Sequence, residues 1–357
     1  RYQEAIESLE ALDGYEDSAK YITYARALQA GDSGDYENAI KALEALNGFE
    51  KSAVYITSYT TLAYEAEQAR MKNVYNQAIA DVKAGNYDAA IAAFETLNDY
   101  EDSGKYILYA RCLKTGDSGD YDTAIKSLTS MGDFKEAAMY IKYYTALAYE
   151  ADESYEKAAA VYDEILLFKD VAELLNECNY QLALKTEAGG AQNAQAAYDA
   201  FKALGAYKDS AEHAAAYETK YSDAVSKEQA GEFDAAIALF TELGNYSDSS
   251  EWITEIQNAK TYETAASLMA SEKYEEAIAV FKELSGYRDS DAQITECSYL
   301  RAEELRENGQ YLEACRIYLT IKGYRDVDEI IEKDENIAGV ALQAKFMVGS
   351  YVTLGSY

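Results

Sequence analysis

The stretch Tyr87–Lys105, YDAAIAAFETLNDYEDSGK, decides the fold, because the rest of the chain repeats it with variations. Its residues Tyr87, Ile91 and Phe94 fall at helical spacing and form one apolar stripe. The small residue Ala90 lies beside that stripe, where a second helix can approach closely. One short helix cannot bury such a stripe alone, so the sequence predicts that each helix packs against a neighbour.

An aromatic pair separated by thirteen residues marks each repeat of this stretch. The pairs are Tyr2/Tyr15, Tyr36/Phe49, Tyr87/Tyr100, Tyr121/Phe134, Tyr155/Phe168, Phe233/Tyr246, Tyr274/Tyr287 and Tyr311/Tyr324. A ninth repeat ends at Tyr207, with Ala194 in the first position. Self-similarity at a period of a few tens of residues is typical of solenoid proteins.

The second aromatic of each pair begins a recurring turn, which reads GYEDS at Gly14 and GYRDS at Gly286. The Gly or Asn before the aromatic can adopt a positive φ and close the preceding helix. The Asp of the turn is predicted to cap the next helix through its side chain. Four repeats add a Glu three residues on, which predicts reciprocal capping boxes at Asp170/Glu173, Asp209/Glu212, Asp248/Glu251 and Asp326/Glu329.

The second helix of each repeat varies in length, whereas the first does not. A Tyr marks its end twelve residues before the next repeat, as in Tyr24/Tyr36 and Tyr109/Tyr121. The longest interval leaves Glu50–Ala84 as either one long helix or two. Residues 15–64 also match residues 100–149 at an offset of 85, which indicates duplication of a two-repeat block.

Phrases such as GDYENAIKALEAL and EKYEEAIAVFKEL resemble the second helix of tetratricopeptide repeats, and the spacing of turn aromatics is 34 residues in three places. The resemblance implies an all-α fold, a tetratricopeptide-like α-solenoid forming a right-handed superhelix of about nine helical hairpins over residues 1–335. The family's usual Pro and its Trp-Leu-Gly-Tyr first helix are missing, so its peptide-carboxylate clamps are not transferred. The style of the turns also resembles repeat arrays in surface proteins of Firmicutes.

Residues 336–357 depart from the repeat pattern. Met347–Tyr357 alternates apolar with small or polar residues, which predicts a β-strand or the start of a hairpin. We expect this segment to be the truncated start of a following β-rich domain. The chain also opens inside a repeat, at Arg1, which leaves a removed leader or anchor open. The compartment is therefore left open too, with a bacterial cell surface slightly favoured over the cytoplasm.

The composition narrows the classes of partner. A formal net charge of −32 disfavours nucleic acids and anionic membrane surfaces, and it allows a basic partner. Solvated acidic helix faces explain the same charge without any partner. The absence of Pro favours helix after helix. The four Cys are dispersed and lack a CxxC motif, which predicts buried free thiols.

No catalytic constellation emerges from the sequence, and we expect a non-enzymatic protein without a cofactor or a metal. GDSGD at Gly31–Asp35 and Gly116–Asp120 matches a serine-protease nucleophile loop in letters, but that chemistry needs a His base and a buried Asp. The spacing of the flanking Tyr residues makes it an inter-helix turn, with Ca²⁺ binding as an alternative. The single His, His213, is predicted to be an ordinary helix residue rather than a zinc ligand.

The tyrosines of the second helices are the one surface feature that suggests a binding site. If these helices line the concave side of the stack, their rings offer amphipathic contact area to a protein or peptide. The candidate residues for a partner-binding groove are Tyr21, Tyr24, Tyr55, Tyr59, Tyr106, Tyr109, Tyr140 and Tyr143, with Tyr144 beside them. Two other interpretations stay open, namely inter-helix packing and recognition of a small ligand or glycan by the same rings.

Overall fold

The structure is a computed structural model that describes residues 1–342, and every regular element in that range is a helix. Consecutive helices pack against each other along the chain, which confirms the predicted all-α fold of the α-solenoid type. Up to Lys333 the chain forms eighteen α-helices and one 3₁₀ turn, and residues 335–342 are helical as well.

The first helix of every repeat begins at the residue that opens the predicted thirteen-residue spacing. These helices are α1 (Tyr2–Glu10), α3 (Tyr36–Ala45), α5 (Tyr87–Glu95), α7 (Tyr121–Ser130), α9 (Tyr155–Asp163), α11 (Ala194–Leu204), α13 (Phe233–Leu243), α15 (Tyr274–Glu283) and α17 (Tyr311–Thr320). The aromatic spacing therefore predicted where each of these helices starts.

The second helix of every repeat begins three residues after the turn aromatic. These helices are α2 (Ser18–Asp32), α4 (Ser52–Lys83), α6 (Ser103–Asp117), α8 (Ala137–Ala151), α10 (Val171–Ala188), α12 (Ser210–Gln229), α14 (Ser249–Ala270), α16 (Ser290–Glu307) and α18 (Val327–Lys333). A 3₁₀ turn at Ala191–Asn193 precedes α11. The interval Glu50–Ala84, for which the sequence allowed either one helix or two, contains a single helix, α4, of 32 residues.

A small residue followed four positions later by a large one forms the buried side of eight of the nine first helices, whereas α1 buries Ile6. In α5 these residues are Ala90 and Phe94, which are 0% and 1% exposed. The same pair recurs as Ala39/Leu43, Ala124/Leu128, Ala158/Tyr162, Ala197/Phe201, Ala236/Phe240, Ala277/Phe281 and Ala314/Tyr318. Ala lets the neighbouring helix approach, and the large side chain fills the space one turn later.

The N-terminal half of the chain, Arg1–Cys178, is one compact part and contains two clusters of buried residues. The first cluster consists of Ala27, Ala39, Leu43 and Tyr59. The second runs from Ala78 to Cys178. The break between the clusters falls in the middle of α4, where no residue from 60 to 77 is buried.

The C-terminal half begins at Asn179 and is the other compact part. Its described residues form four smaller clusters, centred on Phe201, Phe240, Phe281 and Tyr318. Residues 335–342 are helical, and Ile337 is fully buried in the last cluster. The strand predicted over Met347–Tyr357 lies outside the described residues.

The turns combine a predicted feature with an unpredicted one. The residue before the turn aromatic has a positive φ at Gly14, Gly48, Gly286 and Gly323. In the repeat with Asn245 at this position, the positive φ is found one residue earlier, at Gly244. Sequence reasoning missed the residue directly after each turn aromatic, which has φ between 46° and 52° in all nine repeats and is never Gly. A left-handed non-glycine residue costs about 1–2 kcal/mol. Its regular recurrence makes it part of the repeat.

Candidate functional site

A tyrosine of one repeat donates a hydrogen bond to the turn carboxylate of the next repeat. Tyr143 donates to Asp170 at 2.9 Å, and Tyr299 donates to Asp326 at 2.8 Å. The same bond joins Tyr180/Asp209, Tyr221/Asp248 and Tyr262/Asp289. The turn Asp of these repeats therefore links each second helix to the next one.

This arrangement corrects three of the four predicted capping boxes, and the box at Asp170/Glu173 stays a prediction. Asp209, Asp248 and Asp326 occupy the N-cap position of their helices, but their side chains make no capping hydrogen bond. Their backbone is close to helical, with φ between −100° and −95°, rather than in the extended conformation that a side-chain cap requires. The carboxylate instead faces the tyrosine of the preceding repeat.

The left-handed residue of the turn contacts the same tyrosine from its other side when it is basic. The Lys169 amine lies 4.4 Å from the Tyr143 ring centroid, and the Lys208 amine lies 4.6 Å from that of Tyr180. Arg288 and Arg325 lie similarly over Tyr262 and Tyr299. Lys135 differs, because it lies over Tyr106 whereas the hydroxyl that meets the turn carboxylate Glu136 belongs to Tyr109. A cation over the ring face and a carboxylate at the hydroxyl both hold the tyrosine in place.

A second kind of cluster places one Asp between two tyrosine hydroxyl groups. Asp117 accepts hydrogen bonds from Tyr87 at 2.6 Å and from Tyr144 at 2.7 Å. In the first copy of the duplicated block, Asp32 accepts hydrogen bonds from Tyr2 at 2.5 Å and from Tyr59 at 3.0 Å. Each member is offset by 85 residues from its counterpart, so the duplication inferred from the sequence is present in the contacts.

A helical glycine makes room for the buried ring in each of these clusters. A Cβ on Gly116 would lie 2.3 Å from the Tyr144 ring, and one on Gly31 would lie 2.2 Å from the Tyr59 ring. The GDSGD loops that contain both glycines are inter-helix turns, as predicted. Their last Asp caps the next helix, because Asp120 accepts from the Thr123 backbone amide at 3.2 Å.

The structure distributes the predicted groove tyrosines between core and surface. Four of the eight are buried, namely Tyr59, Tyr106, Tyr109 and Tyr143. Tyr24, Tyr55 and Tyr140 are half-buried, and Tyr21 is 40% exposed. Several pack edge-to-face on the next turn aromatic, as Tyr140 does on Phe168 with ring centroids 4.9 Å apart. The buried four therefore contribute to inter-helix packing, and partner binding by any of the eight stays a prediction.

Three of the predicted residues meet at a cavity in the N-terminal half. Tyr106, Tyr109 and Tyr140 line a space of about 220 Å³. Lys135 and Glu136 lie beside the rings, and the remaining lining residues are Ile79, Val82, Lys83 and Leu113. The cavity combines aromatic faces with two basic side chains and one acidic one, which suits an extended peptide better than a purely apolar ligand.

The remaining reactive side chains are held within the helices. All four Cys are free and buried, as predicted. His213 stacks on Phe201 with ring centroids 4.4 Å apart, and its Nδ1 lies 2.9 Å from a Glu187 carboxylate oxygen. Among residues 1–342, no group of three or more His, Cys, Asp or Glu is placed to bind a metal ion.

The hydroxyl groups of the clusters are held in their protonated form. Burial and the bond to Asp117 raise the pKa of Tyr144 far above its usual value, and Tyr59 is raised for the same reasons, with Asp32 as its partner. Burial raises the pKa of Tyr299 to about 12, with Asp326 contributing. At Asp289 the hydrogen bond from Tyr262 lowers the pKa of the carboxyl group. Protonated tyrosines paired with ionised aspartates act as structural bonds rather than as an acid and a base.

The fold and these contacts together define a helical-repeat protein of the α-solenoid type. No protein-family model matches the chain, and the curated proteins contain no match to it. None of the helices described in residues 1–342 has the length and apolar character needed to cross a membrane.

Proposed function

We propose that the chain is a non-enzymatic interaction scaffold or spacer that binds a peptide or protein partner through tyrosines of its second helices. The observation that best supports this function is the cavity lined by Tyr106, Tyr109 and Tyr140. Tyrosine gives a large amphipathic contact area at low entropic cost, which makes it common at interfaces. The resemblance of the helices to tetratricopeptide repeats supports the same class of function. The resemblance of the turns to repeat arrays of Firmicutes surface proteins supports a place in a bacterial surface protein.

A basic partner agrees best with the charge of the chain. The net charge of −32 attracts cationic peptides at long range and speeds their encounter. Lys83 and Lys135 beside the cavity then provide contacts for acidic groups or backbone carbonyls of the bound segment. We therefore favour a peptide with net positive charge and a few aromatic or acidic side chains.

The proposal predicts charge-dependent peptide binding that depends on a ring of the cavity. Matched peptides with equal aromatic content but opposite net charge are titrated with labelled protein in about 0.15 M salt. We expect the basic peptide to bind more tightly, and Tyr140→Ser to weaken it several-fold, about 1 kcal/mol, because a half-buried ring that lines the cavity is lost. Circular dichroism checks that the variant keeps its helices.

Tyr15→Ser is the matched control for that experiment, since Tyr15 is 67% exposed and outside the predicted groove. Equal binding of the two peptides, or equal loss with both substitutions, would contradict the proposal.

Recognition of a small ligand or glycan is the second candidate. The same three tyrosine rings line a cavity of about 220 Å³, in which a sugar ring could stack. Quenching of tyrosine fluorescence by members of a sugar panel, without peptide binding, would favour this function over the first.

A further inference from the structure

The helix α4 contains a near copy of the helix α8. Residues 52–66 and 137–151 are identical at ten of fifteen positions, including the run Leu-Ala-Tyr-Glu-Ala that ends both segments. After this run the two blocks diverge. The chain turns after α8 and begins α9, whereas α4 continues as a helix to Lys83. The helix that follows α8 therefore has no counterpart after the matching part of α4.

In the second block, α9 covers the end of α8. Tyr162 of α9 is fully buried and donates a hydrogen bond to Glu150 at 2.9 Å. The Lys157 amine lies 5.5 Å from the centroid of the Tyr149 ring. Ala146 of α8 and Ala158 of α9 are both 0% exposed, so the two helices are in close contact there.

In the first block, the matching face of α4 is uncovered. Leu62 and Tyr64, the counterparts of Leu147 and Tyr149, are 38% and 66% exposed. Thr61, the counterpart of the buried Ala146, is exposed as well. Glu65, the counterpart of Glu150, has no hydrogen-bond or ion-pair partner within residues 1–342.

The clusters of buried residues are consistent with a missing helix. The two clusters of the N-terminal half lie on opposite sides of this segment along the chain, and neither includes a residue from 60 to 70. About 27 Å of helix separates Tyr59 from Ala78 at 1.5 Å per residue. That length is enough for a helix the size of α9, which spans nine residues.

We propose that the face of α4 formed by Thr61, Leu62, Tyr64 and Glu65 binds one amphipathic helix of a partner protein, in the way that α9 covers α8. The pattern of α9 defines the occupant as a helix reading Lys-Ala-x-x-x-Tyr, spaced like Lys157, Ala158 and Tyr162, with one Tyr hydroxyl for Glu65 and one Lys amine for the Tyr64 ring. Such a helix-in-groove interaction uses apolar anchors on one face of the bound helix. The site does not include the tyrosine cavity, so either proposal can fail alone.

A stapled, fluorescein-labelled peptide of residues 152–166 tests this site directly. It contains α9 in helical form, and its binding to the whole chain is followed by fluorescence anisotropy. We expect binding that saturates below about 1 mM peptide. Leu62→Asp in the protein is expected to weaken that binding at least tenfold, because it places a charge on the apolar contact. Tyr162→Phe in the peptide is expected to weaken it several-fold, through the lost bond to Glu65.

Controls separate this site from the alternatives. Leu312→Asp, at a 45% exposed Leu on α17, is expected to leave binding unchanged, and Tyr64→Ala gives a second variant at a 66% exposed position with little risk to the fold. Binding that is insensitive to both Leu62→Asp and Tyr64→Ala would mean that the peptide displaces α9 itself, which would overturn the proposal. No saturation below about 1 mM would also overturn it. So would a dimer of the chain that Leu62→Asp dissociates, since the occupant would then be a second copy.

Discussion

Replacing Tyr144 by Ala is expected to destabilise the N-terminal half by about 3–5 kcal/mol, the cost typical of truncating a buried aromatic residue. Tyr144 is fully buried, and its ring fills the space that Gly116 leaves open. Its hydroxyl also donates to the Leu113 carbonyl at 3.1 Å and to Asp117 at 2.7 Å. The substitution removes the ring and both bonds together.

Urea denaturation followed by circular dichroism measures this loss. Tyr144→Phe keeps the ring, so we expect it to cost only about 1–2 kcal/mol through the two lost hydrogen bonds. Tyr59→Ala provides a control in the duplicated block, where Asp32 and Gly31 make the same contacts, and it should destabilise in the same direction. A Tyr144→Ala protein as stable as the parent would contradict the role assigned to this cluster.

Raising the pH from about 10 to about 12 is expected to unfold the protein. The fold holds many buried tyrosines in the protonated form, whereas the unfolded chain lets them ionise. The pKa of a tyrosine is near 10 in the unfolded chain and higher in the fold, as at Tyr144 and Tyr299. The stabilisation is therefore complete below about pH 10 and is lost as the pH rises towards the folded value. Each such tyrosine contributes up to about 1.4 kcal/mol per pH unit in this range.

Urea midpoints at about pH 8, 10 and 11.5 measure this loss, together with tyrosinate absorbance near 295 nm. Ionisation and unfolding should coincide in one transition. Repeating the series in about 0.5 M salt separates the effect from repulsion between the many acidic groups. Stability that stays constant up to about pH 11.5, or tyrosines that ionise one by one in the folded state, would contradict this expectation.

The sequence was sufficient to predict the repeat boundaries, because they depend on local periodicity. The thirteen-residue spacing of the aromatics predicted the first residue of each first helix. The predicted stripe of Tyr87, Ile91 and Phe94 lies on the packed side of α5, although Phe94 and the neighbouring Ala90 are buried and the other two are half-buried. The duplication was also visible, since residues 15–64 and 100–149 match directly. Local patterns of this kind need no knowledge of which distant residues meet.

The role of the turn aspartates could not be read in the same way. Asp-Ser before a helix is a typical cap signal, but Asp289 is turned towards Tyr262, which is 27 residues earlier in the chain. Only the packed stack brings these two residues together. The pairing of Tyr with an Asp 27 residues later does recur in four repeats and was available as a signal. The burial of Tyr109 and Tyr143 likewise depends on the neighbouring repeat.

A double-mutant cycle on Tyr262 and Asp289 tests most directly whether tyrosine–carboxylate bonds join successive repeats. The two groups are 2.5 Å apart, and the Asp289 side chain makes no capping bond. Unfolding free energies are measured for Tyr262→Phe, Asp289→Ala and the double variant. We expect a favourable coupling energy of about 1 kcal/mol, because removal of one partner makes removal of the other nearly free. A coupling energy near zero, with the full cost of Asp289→Ala retained in the Tyr262→Phe protein, would show that Asp289 acts as a helix cap and would contradict the account.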